Sequence, residues 1–339
     1  MLPLILNALL LLSPAVTASP IVKLTRRDYP KPEPCSGVCQ GKMHDPAVIR
    51  RSSDGTYFRF TTNDQIKVAT APDMSGPWTY QCDALSPASI IDNPGNKDIW
   101  APDVSRIDDT YYLYYAVSEI GSQNSDIGVA TSASMDCGTW TDHGSIGIPY
   151  SDSYNRIDPN LFRHGPRSEL LMSFGSYFDN IYQVSVAETA PTVAGSIKHL
   201  EQNTTNNGPS EGSYLFQQEL DGENYYYLFF SSGACCNSPP SLAPAGDEYK
   251  IMVCRSDRPS GGFVDQAGHD CLTQNGGTLV LGSHGDVYAP GGQGVMYDPA
   301  QGSVVVYYHY VKPSVGYGYD QFYFGFNKLD FSSGWPVVI

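Results

Sequence analysis

Three acidic residues each open a similar segment of this 339-residue chain. Asp45 lies in His44-Asp45-Pro46, Asp158 in Ile157-Asp158-Pro159-Asn160, and Glu211 in Ser210-Glu211-Gly212-Ser213. Each acid precedes a short apolar run, and a second apolar run follows it. If such segments are repeats arranged around an axis, equivalent residues converge on that axis. Converging carboxyl groups could hydrolyse a sugar acetal, so the three acids are candidate catalytic residues.

The segments around these acids belong to a repeat of five units, each with up to four short runs rich in Tyr, Val, Ile and Phe. Four short strands at a period of roughly 50–60 residues are typical of a β-propeller. Gly and Pro separate the runs, and no stretch has the long apolar period of a helix. The sequence therefore predicts an all-β fold, a five-bladed β-propeller with four-stranded blades around a central channel. A β-sandwich with coincidental spacing is the alternative.

The first strand of each propeller blade lines the channel, so several carboxylates would crowd together there. Like charges at close range push pKa values apart, which leaves one acid protonated as a donor and another ionised as an acceptor. Asp-Pro is also a common turn opener, so one such acid alone would more often be structural. Three at matched positions favour function. Asp103 lies two residues later in its motif, and we interpret it as a structural or secondary acid.

The N-terminal residues predict a secreted protein. Residues 1–18 have the features of a signal peptide, because their apolar run is too short to span a bilayer and ends in small residues. Residues 19–34 are a possible pro-segment or linker with a dibasic pair, Arg26-Arg27. Residues 35–339 are predicted to form a single catalytic domain, because a blade cannot bury its faces alone. No later segment is apolar enough to span a membrane.

Charge and cysteine content narrow the class of protein further. A net charge of −15 opposes binding to nucleic acid. Eight cysteines behind a signal peptide imply disulfides. Cys35 with Cys39 and Cys254 with Cys271 are short-range guesses, while the adjacent Cys235 and Cys236 could pair with each other or with other partners. Asn203-Thr204-Thr205 is a glycosylation sequon.

Aromatic and histidine residues near the strand starts could complete a saccharide site. Sugar faces pack on flat apolar surfaces, which Trp100, Tyr150, Tyr154, Tyr177 and Phe178 could supply, although aromatic residues are more often core. His284 precedes the fifth inner strand and would point toward the channel. A lone histidine is more often a hydrogen-bonded structural residue. His309 is interpreted as core.

Taken together, these motifs resemble glycoside hydrolase family 43, and most closely its fungal endo-1,5-α-L-arabinanases. The resemblance covers nearly all of the chain from Cys35 onward. The segments that carry it are His44-Asp45-Pro46, Trp100-Ala101-Pro102-Asp103-Val104, Tyr154 to Asn160, Ser173 to Tyr177, Glu211-Gly212-Ser213-Tyr214, Cys235-Cys236, His284 to Gly294 and Asp330 to Val337.

The resemblance implies a five-bladed propeller and an inverting hydrolase that cleaves internal α-1,5 links of arabinan, a pectin side chain. Asp45 would be the general base and Glu211 the general acid, while Asp158 would orient the acid and raise its pKa. His284 would hold a metal ion, expected to be calcium, in the central channel. The substrate contacts would be Asp45, Gly121, Asn155, Arg156, Ile157, Asp158, Ser176, Tyr177 and Phe178.

Four residues beside the implied sugar site depart from the family pattern. Arg156 stands where a small residue is usual, Tyr177-Phe178 replaces a Phe-Trp pair, and Ser213 follows Glu-Gly. These departures leave exo-acting arabinanase, α-L-arabinofuranosidase and β-xylosidase activity open on the same scaffold. A non-catalytic carbohydrate-binding propeller is the alternative from another class. In every case the expected partner is a polysaccharide, with no nucleic acid or membrane, and the expected state is a monomer.

Overall fold

The computed structural model describes residues 29–188, 192–204, 208–274 and 276–339. The predicted signal peptide and the dibasic pair lie outside the described residues, and the predicted pro-segment is described only from Tyr29 onward. Within these ranges the regular structure is almost entirely β-strand, with one 3₁₀ turn at Tyr319–Gln321. In the described part of the chain we find no helix with the length and apolar character that a membrane span requires.

Five antiparallel sheets form the five blades, which confirms the predicted all-β, five-bladed propeller. Four of them are built from consecutive strands. Blade 1 contains β2 (Ala47–Arg50), β3 (Tyr57–Thr61), β4 (Lys67–Ala71) and β5 (Thr79–Asp83). Blade 2 contains β6 (Trp100–Ile107), β7 (Thr110–Val117), β8 (Asp126–Ser132) and β9 (Thr141–Ser145). Blade 3 contains β10 (Asn160–Arg163), β11 (Leu170–Phe174), β12 (Ile181–Val186) and β13 (Lys198–Glu201). Blade 4 contains β14 (Ser210–Leu220), β15 (Glu223–Ser232), β16 (Lys250–Ser256) and β17 (Thr278–Leu281).

The last blade is completed by the beginning of the described chain. It contains β18 (Tyr288–Asp298), β19 (Ser303–Val311) and β20 (Phe322–Asp330), and β1 (Gln40–Gly41) pairs with the outer edge of β20. The short β21 (Val337–Val338) covers the other end of the same edge. Pairing both ends of the chain with β20 closes the ring and protects an otherwise open sheet edge.

The core is divided among the interfaces between neighbouring blades. Each of five apolar clusters joins strands of two adjacent blades, including the pair that meets at the ring closure. In β7, Leu113 and Tyr115 pack toward blade 1, while Tyr114 packs toward blade 3. Because successive side chains of a strand point to opposite faces, a strand buried on both faces is apolar throughout. This explains why the middle strands appear in the sequence as unbroken tyrosine-rich runs.

The inner end of every blade contains a residue in the left-handed conformation. The φ angles of Asp45, Ala101, Asp158, Gly212 and Ala289 lie between 43° and 58°. In blades 2, 4 and 5 this residue lies within a shift of strand register, a β-bulge. A non-glycine residue with positive φ is uncommon and is retained where the surrounding structure requires it. The fivefold recurrence therefore fixes which residues are equivalent between blades.

All eight cysteines are paired, and the two short-range guesses are confirmed. Cys35 bonds Cys39, and Cys254 bonds Cys271. The adjacent Cys235 and Cys236 bond each other, and Cys82 of β5 bonds Cys137 in the loop between β8 and β9, which ties blade 1 to blade 2. The sequon at Asn203 is described only as far as Thr204, and its glycosylation stays a prediction.

Candidate active site

Asp45 and Asp158 occupy equivalent places on blades 1 and 3, but Glu211 does not share their position. The left-handed residue of blade 4 is Gly212, so Glu211 lies one residue earlier, inside the bulge that spans Glu211 and Tyr214. Its counterpart on blade 2 is Trp100, which precedes the left-handed Ala101. The expectation that the three acids are exact equivalents is therefore wrong by one residue for Glu211.

The inner ends of the strands surround a narrow central cavity of about 40 Å³. This space suits a few water molecules rather than a sugar unit. A saccharide must then bind at the mouth of the channel, where the acids are half-buried. The cavity is lined by Asp45 to Ala47, Ala101 to Asp103, Asp158 to Asn160, Gly212 to Tyr214, Gly292, Gln293 and Tyr307.

Glu211 is held by two hydroxyl groups and linked to Asp158 through the backbone. Ser176 donates to its Oε2, and the Tyr249 hydroxyl donates to its Oε1 at 2.9 Å. The N–H of Gly212 donates to Asp158 Oδ2 at 3.0 Å. With both oxygens engaged, the Glu211 carboxyl has one preferred orientation. Tyr249 was not predicted from the sequence.

The pKa values of Asp158 and Glu211 are both raised, as the crowding of carboxylates predicts. Burial is the main cause for each. The charge of Glu211, and then that of Asp45, raises the pKa of Asp158 further, while the Gly212 N–H opposes the rise. Hydrogen bonds from Ser176 and Tyr249 lower the pKa of Glu211, and the charge of Asp45 raises it. Two acids that repel each other's charge lose their protons in separate steps, so the pair retains one proton well above the usual range of a carboxyl.

Asp45 is positioned by residues from blades 1 and 5. Thr62 donates to its Oδ2 at 2.7 Å, and the N–H of Asp45 donates to His309 Nδ1 at 3.0 Å. Burial lowers the pKa of His309 to about 3, so the ring is neutral and carries its proton on Nε2. The expectation that His309 is core was correct about its burial and missed this contact.

Tyr249 and His309 connect the surroundings of Glu211 with those of Asp45. Their rings stack with centroids 5.8 Å apart and an interplanar angle of 8°. One partner bonds Glu211 and the other accepts from the backbone of Asp45. The stack therefore fixes the position of one acid relative to the other.

Asp103 has the structural role that the sequence suggested. It is buried, and it accepts from Asn160 Nδ2 at 3.1 Å and from the N–H of Leu161 at 2.9 Å. Asn160 Oδ1 in turn accepts from the N–H of Leu215 at 2.8 Å. Burial raises the pKa of Asp103 to about 6. This chain of bonds ties the inner strands of blades 2, 3 and 4 together.

The predicted sugar contacts on blade 3 divide into exposed and internal residues. Tyr177 and Phe178 follow Ser176 directly and are each 51% exposed. They line a cavity of about 460 Å³, whose other described lining residues are Asn180, Gln202, Asn203, Thr204 and Gly208. Gly121 is exposed in the loop after β7, and Trp100 is half-buried at the channel mouth. These residues are placed where a bound saccharide could reach them.

Asn155, Arg156 and Ile157, which were predicted to contact substrate, each form a hydrogen bond within the protein. Asn155 is buried and accepts from the Ser125 hydroxyl, and the Ile157 carbonyl accepts from the N–H of Gly175 at 2.9 Å. The Arg156 guanidinium donates to the carbonyl of Ile148 at 3.2 Å. Their roles as substrate contacts stay predictions.

His284 does not fit the role of a metal ligand in the channel. It is buried, outside the residues that line the central cavity. Its Nδ1 lies 2.8 Å from the carbonyl oxygen of Gly282, and its Nε2 lies 3.1 Å from that of Pro30. A metal would need a ring nitrogen with a free lone pair, and both nitrogens face carbonyl acceptors. The sequence did not reveal that the segment at Pro30 would cover this histidine.

Some supporting residues of the site were not predicted from the sequence. Ser231 accepts from the N–H of Gly292 at 2.9 Å and donates to Gln293 Oε1 at 2.7 Å, and Gln293 Nε2 donates to the carbonyl of Gly212 at 2.7 Å. These bonds fasten the residue after Glu211 to β18. The glycine pair Gly291-Gly292 was the available hint, because adjacent glycines inside a strand mark a bulge or a close approach.

A buried glutamate behind Glu211 should make folding stability depend on pH. Glu201 accepts from Ser210, and burial raises its pKa from 4.5 to about 8. Between these values folding takes up a proton, so stability falls as the pH rises through this window, by at most about 1.4 kcal/mol per pH unit. We expect Glu201→Gln to flatten the fall in unfolding free energy between pH 5 and 8, as measured by urea denaturation.

The control for this experiment is Glu219→Gln, which removes an exposed carboxyl from β14. It should leave the pH dependence of stability as in the wild type. Asp103, Asp158 and Glu211 contribute in the same direction, so the difference between the two variants isolates Glu201. A Glu201→Gln protein with the wild-type slope would contradict the prediction.

Comparison with known proteins identifies the family of this chain. Residues 36–336 match the sequence model of the glycosyl hydrolases family 43. The arabinan endo-1,5-alpha-L-arabinosidase A of Aspergillus aculeatus is 50% identical over 321 residues, which cover 94% of this chain and 97% of that protein. The protein of the same name from Aspergillus niger is 49% identical over 326 residues, covering 96% and 98% respectively.

Solved structures support the same conclusion. The family 43 endo-arabinanase from Bacillus licheniformis aligns with a TM-score of 0.75 at 27% identity, covering 90% of this chain and 99% of that chain. An exo-1,5-alpha-L-arabinanase from a bovine ruminal metagenomic library aligns with a TM-score of 0.76 at 25% identity, with the same coverage. The family match spans nearly the whole described chain. The same region carries Asp45, Asp158 and Glu211 at the channel mouth. The protein therefore belongs to glycosyl hydrolases family 43 and is a glycoside hydrolase.

Proposed function

We propose that this enzyme cleaves internal α-1,5-L-arabinofuranosidic bonds of arabinan with inversion of the anomeric configuration. The observation that carries the proposal is that Asp45 and Asp158 line the central cavity and Glu211 adjoins it, since the N–H of its neighbour Gly212 bonds Asp158, with the pKa of Glu211 raised. The names of the fungal relatives support the substrate. The cavity that Tyr177 and Phe178 line supplies room for neighbouring sugar units of an arabinan chain.

In the proposed mechanism, each acid has a separate role. Asp45, oriented by Thr62 and by its backbone bond to His309, accepts a proton from the attacking water. Glu211, oriented by Ser176 and Tyr249, donates its proton to the departing oxygen. Asp158 accepts from the N–H of Gly212, which fixes it beside the acid, and its carboxylate charge favours the protonated form of Glu211. This division matches the acid and base that an inverting glycosidase requires.

Secretion and a monomeric state are part of the proposal. The apolar N-terminal segment and the pairing of all eight cysteines support an oxidising, extracellular setting. Arabinan side chains of pectin would be the natural substrate there. Calcium binding stays a prediction, and no step of the mechanism depends on it.

The product profile on linear 1,5-α-arabinan tests the proposal. We expect early digests to contain a ladder of oligosaccharides, because an internal cut releases fragments of many lengths. Proton NMR of the first products should show the β anomer before mutarotation. A single small product would indicate exo action, which the similarity to an exo-arabinanase keeps as the second candidate. Binding without release of reducing sugar would indicate a carbohydrate-binding propeller and would overturn the proposal.

A further inference from the structure

The disulfide between Cys235 and Cys236 lies in a loop whose two ends belong to the active site. The loop joins β15 to β16. Ser231, near its beginning, bonds the backbone of Gly292, and Tyr249, at its end, bonds Glu211. Ala234 and Glu248 form a bridge across the neck of the loop, and the N–H of Tyr249 donates to the carbonyl of Ala234 at 3.1 Å. The position of the disulfide is therefore fixed relative to the acid.

The same disulfide also reaches the residues that carry the base. Cys236 Sγ lies 4.0 Å from His44 Nδ1, and His44 immediately precedes Asp45. Ligand atoms of Cys235, His44 and His309 lie within 4.8 Å of one another. The disulfide thus covers the two histidines beneath Asp45, and its outer side is open to solvent at Cys236.

A metal site is the first alternative for this cluster, and the chemistry of its members opposes it. A cysteine ligand must be a thiolate, and the sulfur of Cys235 is bonded to that of Cys236. His44 and His309 are buried among aromatic rings of Tyr249, Tyr319 and Phe322. The cluster therefore supports an apolar surface rather than an ion.

Two joined sulfurs present a polarizable, apolar surface without a strong hydrogen-bond donor. Such a surface attracts the C–H face of a sugar through dispersion. On blade 3, Tyr177 and Phe178 supply exposed aromatic rings next to Ser176, which bonds Glu211. The described rim thus has an apolar surface near each of the two acids, as a chain lying across the channel mouth would need.

We propose that the Cys235–Cys236 disulfide is a sugar-binding platform that supports a unit of the bound saccharide on the Asp45 side of the cleaved bond. The inference rests on the proposed function, since it needs an arabinan chain in the site. The vicinal disulfide would thus make a specificity-determining contact with substrate. This contact contributes to affinity, while Asp45 and Glu211 perform the chemistry.

The test is the double substitution Cys235→Ala with Cys236→Ala, assayed on linear arabinan. We expect KM to rise about tenfold or more, as the loss of an apolar contact in a binding site does, with kcat changed by less than about threefold. Cys254→Ala with Cys271→Ala is the matched control, because that disulfide packs between blades 3 and 4. The control should lower the thermal unfolding midpoint and leave KM unchanged.

A second measurement separates the platform from folding effects and from the proposed function. In the inactive Glu211→Gln protein, bound linear arabinohexaose should slow the reduction of the Cys235–Cys236 disulfide by a phosphine, read as alkylation of the two thiols that reduction frees. Unchanged KM in the alanine pair, a fall in kcat alone, or equal alkylation with and without arabinohexaose would each overturn the platform. If wild-type protein neither binds nor cleaves arabinan, the proposed function fails first, and that result is visible before any cysteine is changed.

Discussion

Replacing Glu211 with Gln should lower kcat on linear arabinan by about 10²–10⁴-fold, the usual contribution of a general acid. Gln preserves the shape of the side chain, and the hydroxyls of Ser176 and Tyr249 can still bond its amide. The amide cannot deliver a proton to the departing oxygen. Steady-state rates of reducing-sugar release measure the loss, and circular dichroism with a thermal melt checks that the fold is retained.

A substrate that needs no protonation gives this prediction its sharpest control. An arabino-oligosaccharide with a 2,4-dinitrophenyl leaving group departs without help from an acid, so Glu211→Gln should slow its cleavage far less than that of arabinan. Glu219→Gln, the same substitution at an exposed site on the same strand, should leave both rates unchanged. Near-normal turnover of arabinan by Glu211→Gln would remove Glu211 from the role of general acid.

Gly292→Ala should lower kcat/KM by about 10²-fold, because a misplacement of about 1 Å in a reacting group has effects of this size. Gly292 adopts a φ of +57°, and a Cβ there would lie 2.6 Å from Asp45 Oδ1 and 2.6 Å from His309 Nδ1. Real contacts of this kind are longer, so the base and the histidine that positions it must move. The activity assay on arabinan measures the loss.

Gly222→Ala distinguishes this steric effect from the general cost of alanine in a left-handed conformation. Gly222 has a φ of +84° in the turn between β14 and β15, and no atom lies within 4 Å of its added Cβ. This control should lose stability by roughly 1 kcal/mol and keep its kcat/KM. If Gly292→Ala retains wild-type kcat/KM, Asp45 does not need its observed position, and its assignment as the base would be contradicted.

The repeat made the propeller predictable from the sequence. The strand register of Glu211 was not predictable, because this residue lies at a β-bulge. Alternating burial makes each middle strand a visible apolar run, so five units could be counted from the sequence. The equivalence of Glu211 with Asp45 was wrong by one residue because blade 4 has Gly212 where blades 1 and 3 have Asp. Only hydrogen-bond register shows that Glu211 belongs with Trp100.

The supporting residues of the site were beyond prediction because they come from distant parts of the chain. His309 is an ordinary member of an apolar run, Tyr249 lies between Glu248 and Lys250, and both are buried. Their roles arise from the ring, which brings blades 4 and 5 against blade 1. His284 is the opposite case, since a motif suggested a metal ligand and its two ring nitrogens face the carbonyl oxygens of Gly282 and Pro30.

The pairing of β1 with β20 has a consequence for the order in which this enzyme becomes active during its synthesis. Asp45 emerges from the ribosome among the first residues of the domain, and its partner His309 emerges among the last. Proteins are made from the N-terminus onward, so blade 1 is synthesised well before blade 5. Asp45 therefore lacks its contact with His309 until β19 and β20 have been made and β1 closes the ring. The last blade to be made thus completes the surroundings of the first acid, and a product truncated before β19 lacks the histidine that positions Asp45.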